Sequence, residues 1–431
     1  MNNIIGIRRE DKNIWERRVP LTPPDVGQLF DDYGIKTIIQ PSSNRIFDDN
    51  EYIKANAIIS EDFSKANTIL AVKEIPLDMF QKDKTYIFFS HTIKGQPYNM
   101  KMLRKLMDLK CNLIDYEPIV DKNKRRLIFF GKYAGLAGMI ETLHSFSQKL
   151  STEGKSFGLE NVKQAFEYAS VEEAKEQITK IGSFIKNNGM PKIDKPIIIG
   201  FAGYGNVSQG AQEIFDLLPH QEISPDELSN NYNSLKDTNI FYKVVFKEKD
   251  LVQSKHGEFD LQEYYTEPHK YISIFEQYLL NLNVLVNCIY WSEEYPRLVT
   301  KDFLQNIPTS ALSVVGDISC DIDGSIEFTH KATYPDTPTF TYLPKTDSFV
   351  NGANVNGVTV MSVDNLPCEF PRESSRAFSI VLKDFVKDIA STNFNNNFND
   401  LTLPAPIKEA LILHKGQLTK KFEYLNEFTG K

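Results

Sequence analysis

Cysteine is scarce in this sequence: there are four among 431 residues, at Cys111, Cys288, Cys320 and Cys368, with no CxxC pair. That spacing argues against a disulfide-stapled scaffold, offers no zinc site and suits reduced thiols, so no metal is expected. Long apolar runs are missing as well. No stretch reaches the roughly eighteen apolar residues that a membrane-crossing helix needs, and no membrane partner is expected. Positive charge is not in excess either, since 49 Lys and Arg against 57 Asp and Glu leave a net −8. A dedicated nucleic-acid binder usually carries a basic stripe, so nucleic acid is not an expected partner. Residues 1–12 hold no apolar segment of signal-peptide type, and Glu10 and Asp11 run against a transit peptide. A cytoplasmic protein is the simplest expectation.

What the chain does have is apolar material for more than one core: 41% hydrophobic residues, with 29 phenylalanines. A chain of this length is expected to form two domains of roughly one to two hundred residues each. Residues 4–7 read as a short strand. Thr22 followed by Pro23 and Pro24 reads as a helix start, with a capping hydroxyl and then prolines where no N–H is needed. Val26, Leu29, Phe30 and Tyr33 keep helical spacing until Gly34 stops the helix. Short apolar runs at 35–39, 68–72, 86–89, 113–114 and 127–130 read as further strands. This alternation predicts an α/β fold with a largely parallel sheet. From Tyr133 a long helix rich in small residues follows, fit to link two domains. Residues 196–202 (PIIIGFA) then form an apolar strand, followed by a glycine-rich turn, a helix over 211–218, and strands at 284–289 and 314–318. The polar stretch 229–262 reads as an inserted excursion, and 393–400 (NFNNNFND) as a low-complexity loop.

The turn Gly203-Tyr-Gly205-Asn206-Val-Ser208-Gln-Gly210 sits where a glycine-rich loop binds a pyrophosphate, between a buried strand and a helix. Gly203 permits the tight turn and Gly205 lets the backbone approach the phosphates. Position 208 is serine where the standard fingerprint has glycine, with Gly210 two residues on. Glu222 stands at the spacing of an acid that holds the ribose of NAD; the competing reading is a solvated loop acid.

Three basic features stand out before the long helix. Arg18 precedes the first helix, where a guanidinium can fork onto a substrate carboxylate, or simply pair with Glu16. Lys73, beside Glu74, ends a strand in the region that faces the ligand crevice of open α/β sheets, where partial burial lowers a lysine pKa. His91 ends the next strand, with Lys94 one turn on, and imidazole titrates where proton transfer is useful. A structural role is the competing reading for a single strand-end histidine. Asp115-Tyr116-Glu117 and Arg125-Arg126 sit at the next two expected strand ends and fit outward-facing charges equally well. The segments at 287–291 and 316–321 close two later strands beside the glycine turn, as a nicotinamide lining or as capped strand ends. Asp364-Asn365-Leu366-Pro367 is read first as the cap of a helix starting near Arg372.

In order along the chain, ERRVPLTP, AVKE, FFSHTIKGQ, YEPIV, FGKYAGLAGM, GYGNVSQGAQ, VNCIYW, GDISCD and SVDNLPCEFPRESS resemble lysine–ketoglutarate reductase, the first half of bifunctional aminoadipic semialdehyde synthase. A weaker likeness extends to the lysine-forming saccharopine dehydrogenases of fungi, to alanine dehydrogenase and to the transhydrogenase dinucleotide domain. The resemblance implies two Rossmann-like domains with a cleft between them, the cofactor domain inserted into a discontinuous substrate domain. The expected bounds are 1–134 with 325–431 for the substrate domain and 135–324 for the dinucleotide domain. It implies reversible joining of lysine and 2-oxoglutarate into saccharopine, with Lys73 and His91 as acid–base groups and Arg18 on a substrate carboxylate. Lys94, Glu117 and Arg126 would line the substrate pocket. Gly203, Gly205 and Asn206 would hold the cofactor, and Asp317 would face the nicotinamide. A pocket lysine of the fungal enzymes is replaced by Asn13 here. The resemblance to the bifunctional reductase implies NADPH while Glu222 favours NAD, so the expected cofactor is NAD(P)H. Two other readings stay open at this point: an alanine-dehydrogenase-like amino-acid dehydrogenase, and a non-catalytic dinucleotide-binding regulatory module. A homo-oligomer is compatible with either.

Overall fold

The computed structural model describes residues 3–307 and 311–430. The chain forms two compact units, Met1–Phe130 with Pro371–Lys431, and Gly131–Phe370.

In the first unit, β1 (Ile4–Ile7), β2 (Lys36–Ile39), β3 (Ile58–Ile59), β4 (Thr68–Leu70), β5 (Thr85–Phe88) and β6 (Asn112–Asp115) run parallel. Helix α1 (Pro23–Tyr33) starts after Thr22 and ends at Gly34, whose N–H caps it in the left-handed region. Thr22 does not cap through its side chain; its hydroxyl donates to Asp25 at 2.8 Å instead. Helices α2 (Asp49–Lys54) and α3 (Pro97–Asp108) complete the alternation. The strand expected at 127–130 is absent: this segment is a loop, held by an isolated antiparallel bridge between Val120 and Arg126. Its apolar residues serve packing instead, Phe130 stacking on Phe378 at 4.5 Å.

The second unit opens with α4 (Gly131–Thr152) and α5 (Val171–Asn188). Its sheet is built on β7 (Ile197–Ala202), which leads through the glycine turn into α6 (Asn206–Phe215). Ile197, Ile199 and Phe201 fill one face of the sheet while Ile198 and Ala202 fill the other, as alternation requires of a strand covered on both sides. Next come β8 (His220–Glu222), β9 (Phe241–Phe246), a small antiparallel pair β10 (Val252–Ser254) and β11 (Tyr271–Ser273), then β12 (Val284–Asn287) and β13 (Val314–Asp317). Strands β14 (Thr339–Leu343), β15 (Ser348–Asn351) and β16 (Val358–Met361) finish the sheet, in the order β15-β14-β16-β13-β12-β7-β9-β8.

Three expectations are corrected here. The stretch 229–262 is not a mere excursion: it contains β9, which pairs with β7 over its whole length. The return to the first unit falls at Phe370/Pro371 and not at 324/325, because β14–β16 hydrogen-bond into the second sheet. The helix expected near Arg372 spans Pro371–Ser391; residues 364–367 do not cap it, since a 3-10 turn over Leu366–Glu369 intervenes. The hairpin β17 (Leu411–His414) and β18 (Gln417–Leu418) then joins β6, giving the first sheet the order β18-β17-β6-β5-β4-β1-β2-β3. Among the described residues no helix is long and apolar enough to cross a membrane.

Candidate functional site

Strands β6, β5, β4 and β1 are neighbours and parallel, so the residues that follow each of them emerge along one edge of the first sheet. That edge gathers Glu10, Lys73, Glu74, His91 and Glu117. His91 adopts φ +50, a left-handed conformation uncommon outside glycine and strained enough to mark a site. Three contacts hold it there. Asn99 donates to its carbonyl at 3.2 Å, its ring stacks on Phe89, and its Nδ1 lies 2.6 Å from Glu74 Oε1. Burial alone would raise Glu74, but the hydrogen bond and charge of His91, helped by Lys12 at 3.2 Å, bring it down to about 2. An ionised carboxylate can only accept, so His91 Nδ1 carries the hydrogen and Nε2 is the nitrogen left for exchange. The end of β5 is pinned in turn by Asp115, which accepts from the Ser90 N–H at 2.8 Å and from its hydroxyl.

Lys73 is half-buried one residue before Glu74, and its N–H donates to Glu10 at 2.9 Å. Lys94 is exposed, in a turn rather than one helical turn beyond His91. Glu117 and Arg126 form an ion pair, with half the Arg126 side chain in solvent. Arg18 takes the Glu16 pairing that its position also allowed. Its Nε and one terminal nitrogen grip both oxygens of Glu16, at 2.9 and 2.7 Å, and the two side chains are 1% and 0% exposed. The guanidinium lies 4.2 Å from the centre of the Phe130 ring. One edge of the guanidinium is thus taken by Glu16, in a pair that is not at the surface.

In the second unit the turn after β7 has the geometry of a diphosphate cradle. Gly203 has φ +94, and its N–H bonds the Phe246 carbonyl of β9 at 3.0 Å. Gly205 precedes α6, and a Cβ there would meet open space. Asn206, exposed, begins the helix, whose first N–H groups have no acceptor within the helix itself. Ser208 is buried and replaces the usual third glycine without loss, because Gly210 makes the close approach: a Cβ on it would stand 2.3 Å from the Lys132 carbonyl of α4. These residues fit a dinucleotide.

Glu222 does not lie where a ribose acid belongs. It ends the short β8, two strands from β7, and pairs in register with Lys243, three residues before the end of β9; it is exposed, 3.6 Å from Lys243 Nζ. The strand beside β7 is β9, and the residues leaving it are Lys247 and Glu248. Glu248 Oε1 accepts from Tyr265 at 2.5 Å and from Tyr204 of the glycine turn at 3.4 Å, while Lys247 Nζ is 5.8 Å from the Tyr204 ring centre. The alternating FYKVVF run was the available signal for that strand. Asp317 is also corrected. It is buried and its carboxylate accepts from Asn287 at 2.8 Å, Thr329 at 2.6 Å and the Cys320 N–H at 3.2 Å, so it braces the ends of β12 and β13. Burial pushes it up to about 6 despite those bonds.

Comparisons with known proteins agree with this architecture. Residues 6–137 match the family "Alanine dehydrogenase/PNT, N-terminal domain" and residues 249–421 its C-terminal domain counterpart. The chain is 38% identical to alpha-aminoadipic semialdehyde synthase of Arabidopsis thaliana, covering 98% of this chain and 41% of that protein. It is 34% identical to the mitochondrial alpha-aminoadipic semialdehyde synthase of Bos taurus, covering 98% and 48%. It thus spans less than half the length of either. It is 30% identical to the saccharopine dehydrogenase [NAD(+), L-lysine-forming] of Emericella nidulans, covering 88% of this chain and 90% of that one. Among solved structures, an L-alanine dehydrogenase shares the fold with TM-score 0.63 at 17% identity, over 99% of both chains. A transhydrogenase from Sinorhizobium meliloti does so with TM-score 0.57 at 15% identity, over 96% and 100%.

Proposed function

Because the chain belongs to the saccharopine dehydrogenase (L-lysine-forming) family, a family of nicotinamide-dependent dehydrogenases, we propose that it catalyses the reversible reductive joining of L-lysine and 2-oxoglutarate into saccharopine. The observation that carries this reading is the His91–Glu74 pair beside Lys73, at adjacent ends of β5 and β4. The ε-amine of lysine attacks the 2-oxoglutarate ketone, water leaves, and the resulting imine is reduced. Loss of water needs one group to deliver a proton to the departing hydroxyl and another to take one from nitrogen. His91, its Nδ1 tied to Glu74, is oriented to exchange protons through Nε2. A half-buried lysine such as Lys73 serves as the second exchanger. Lys94 and Arg126, both exposed, offset the carboxylates of 2-oxoglutarate and lysine, and Glu117 sets the direction of Arg126. A bound nicotinamide would supply the hydride for the imine carbon.

The test is a spectrophotometric assay of lysine plus 2-oxoglutarate with NADH and NADPH in parallel, and with pyruvate plus ammonia as the competing pair. Turnover on lysine is expected, and His91→Gln should lower it by roughly ten- to a thousandfold with cofactor affinity kept. Turnover on pyruvate and ammonia alone would replace this reading with a simpler amino-acid dehydrogenase. On the cofactor, a carboxylate at the end of the strand beside β7 suits free ribose hydroxyls and repels a 2′-phosphate, so Glu248 favours NADH. Glu248→Gln should then improve NADPH binding relative to NADH by about tenfold, the scale of one charged contact, as measured by nicotinamide fluorescence. An unchanged ratio would take Glu248 out of cofactor choice.

A further inference from the structure

Strands β1 and β4 pair up to Ile7 and Leu70, and the Arg8 N–H still reaches the Leu70 carbonyl at 2.9 Å. Beyond that point the ladder on this side runs out, while the chain leaving β4 continues to Lys73. On its other flank β5 keeps contact: the Ala71 N–H bonds the Ile87 carbonyl at 3.0 Å and the Phe89 N–H bonds the Val72 carbonyl at 3.1 Å. The N–H groups of Val72 and Lys73 would be left over. Glu10, buried at the end of the segment leaving β1, takes both: one oxygen accepts from Val72 at 2.7 Å and the other from Lys73 at 2.9 Å. A single carboxylate closed on two consecutive N–H groups fixes the plane of the peptide between them. It thereby fixes the direction in which the Lys73 side chain leaves the backbone.

We propose that Glu10 is the positioning residue of Lys73: its carboxylate stands in for the missing strand and holds the lysine in its working orientation. The inference rests on the reading of Lys73 as a proton-exchanging group.

The charged and titratable neighbours of Glu10 are Arg8 on its own segment, Glu16 on the loop before α1 and Tyr116 just after β6; from Lys73 it receives the backbone N–H. Burial, then the charge of Glu16, push Glu10 up to about 7, against the two N–H bonds and Arg8. The clamp therefore gains and loses its charge near neutral pH. Bound at the Lys73 N–H, the carboxylate lies within one lysine side-chain length of that ammonium and favours its protonated form, so its removal lets Lys73 shed its proton at lower pH.

The test compares wild type with Glu10→Gln and Glu10→Asp; the first keeps the length and loses the charge, and the second keeps the charge and loses the reach. Lysine side chains are reductively methylated across pH 6–10 and quantified by peptide mass spectrometry, with the exposed Lys82 as internal reference. In Glu10→Gln the Lys73 profile should move to lower pH, raising its modification near pH 8 at least ~threefold relative to Lys82, the size of a half-unit pKa change. In Glu10→Asp, kcat on lysine and 2-oxoglutarate should fall by about tenfold or more with dinucleotide affinity within about twofold, as mispositioning predicts. If Glu10→Gln does not fold, the modification profile is read on Glu10→Asp, where lost reach should still shift it. A Lys73 profile identical to wild type in the folded variants overturns the proposal, even if turnover changes. A shifted profile in a protein with no turnover on lysine and 2-oxoglutarate leaves the clamp standing and removes the functional reading instead.

Discussion

The two units treat their buried acids in opposite ways. In the first, Glu16 is gripped by Arg18, Glu74 is bonded to His91 and Lys12, and Asp25 accepts from Lys383, Ser379 and Thr22. In the second, Glu141 and Glu369 are fully buried against each other, with the N–H groups of Ala165 and Phe166 and the ring of His144 as their neighbours. Neither forms an ion pair among the described residues. Burial and the facing carboxyl push Glu369 well above the usual carboxylate range, and burial raises Glu141 as well, against the hydrogen bonds of Ala165 and Glu369. Two carboxyls packed together cannot both ionise, so this pair holds a proton at neutral pH. The first unit spends cations to keep its acids charged, as a site handling carboxylated substrates and protons requires. The second uses protonated acids as packing between α4 and the turn that precedes Pro371. Glu10 and Asp115 are the exceptions: both lie buried in the first unit, and burial gives both the raised affinity for protons found in the second.

The sharpest break in this contrast is Arg18→Ala. It strands Glu16 as a buried charge without its partner, and an uncompensated buried charge costs about 3–5 kcal/mol. Urea unfolding should show a loss on that order, and Glu16→Gln in the same chain should recover much of it. A loss below about 1 kcal/mol would mean that Arg18 and Glu16 are no more than a surface pair. It would also reopen Arg18 as a direct anchor for substrate.

Those two residues also mark the limit of what was legible from the sequence. Helix α1 was readable to the residue because Pro23, Pro24 and Gly34 act locally through backbone geometry. The glycine turn and the short apolar strands of the first sheet were readable for the same reason. The pairing of Arg18 with Glu16 was foreseen as an option, but its burial under Phe130 depends on a loop that looked like a strand. Glu222 was misjudged because distance along the chain was taken for order across the sheet. Strand β8 comes first after α6, yet β9 slots between it and β7, and hydrogen-bonding order between strands is a property of the assembled sheet. Glu10 gave no local sign at all. Its role exists only because the β1–β4 ladder stops at Ile7 and Leu70 while the chain after Leu70 keeps its bonds to the β5 side.

A second test acts on the acid pair of the second unit. A carboxylic acid whose folded pKa is raised stabilises the fold while protonated. That contribution is whole below the unfolded value near 4.5 and drains away as pH climbs through the folded value. The melting temperature of wild type should therefore fall as pH rises above about 4.5. Glu369→Gln, which keeps a permanent donor facing Glu141, should flatten the fall and raise the alkaline melting point by a few degrees, roughly 2–4 °C for a chain of this size. A variant that melts in parallel with wild type across that range would show that the pair is not sharing a proton.

The smallest effect expected comes from the opposite device. Glu74 sits at about 2, so ionised Glu74 favours the fold above its unfolded value near 4.5, and that support is lost as pH falls through 4.5 toward 2. Its side chain is 19% exposed and its partners His91 and Lys12 are more exposed still. Solvent screening therefore trims the gain to about 1 kcal/mol or less. Glu74→Gln should accordingly melt within a degree or two of wild type at pH 3 and slightly below it at pH 6, a difference that differential scanning calorimetry resolves. If the variant were instead equally destabilised at both values, Glu74 would be contributing shape rather than charge. The contrast between a unit that keeps its acids ionised and one that keeps them protonated would then rest on Arg18 with Glu16 and on Lys383 with Asp25.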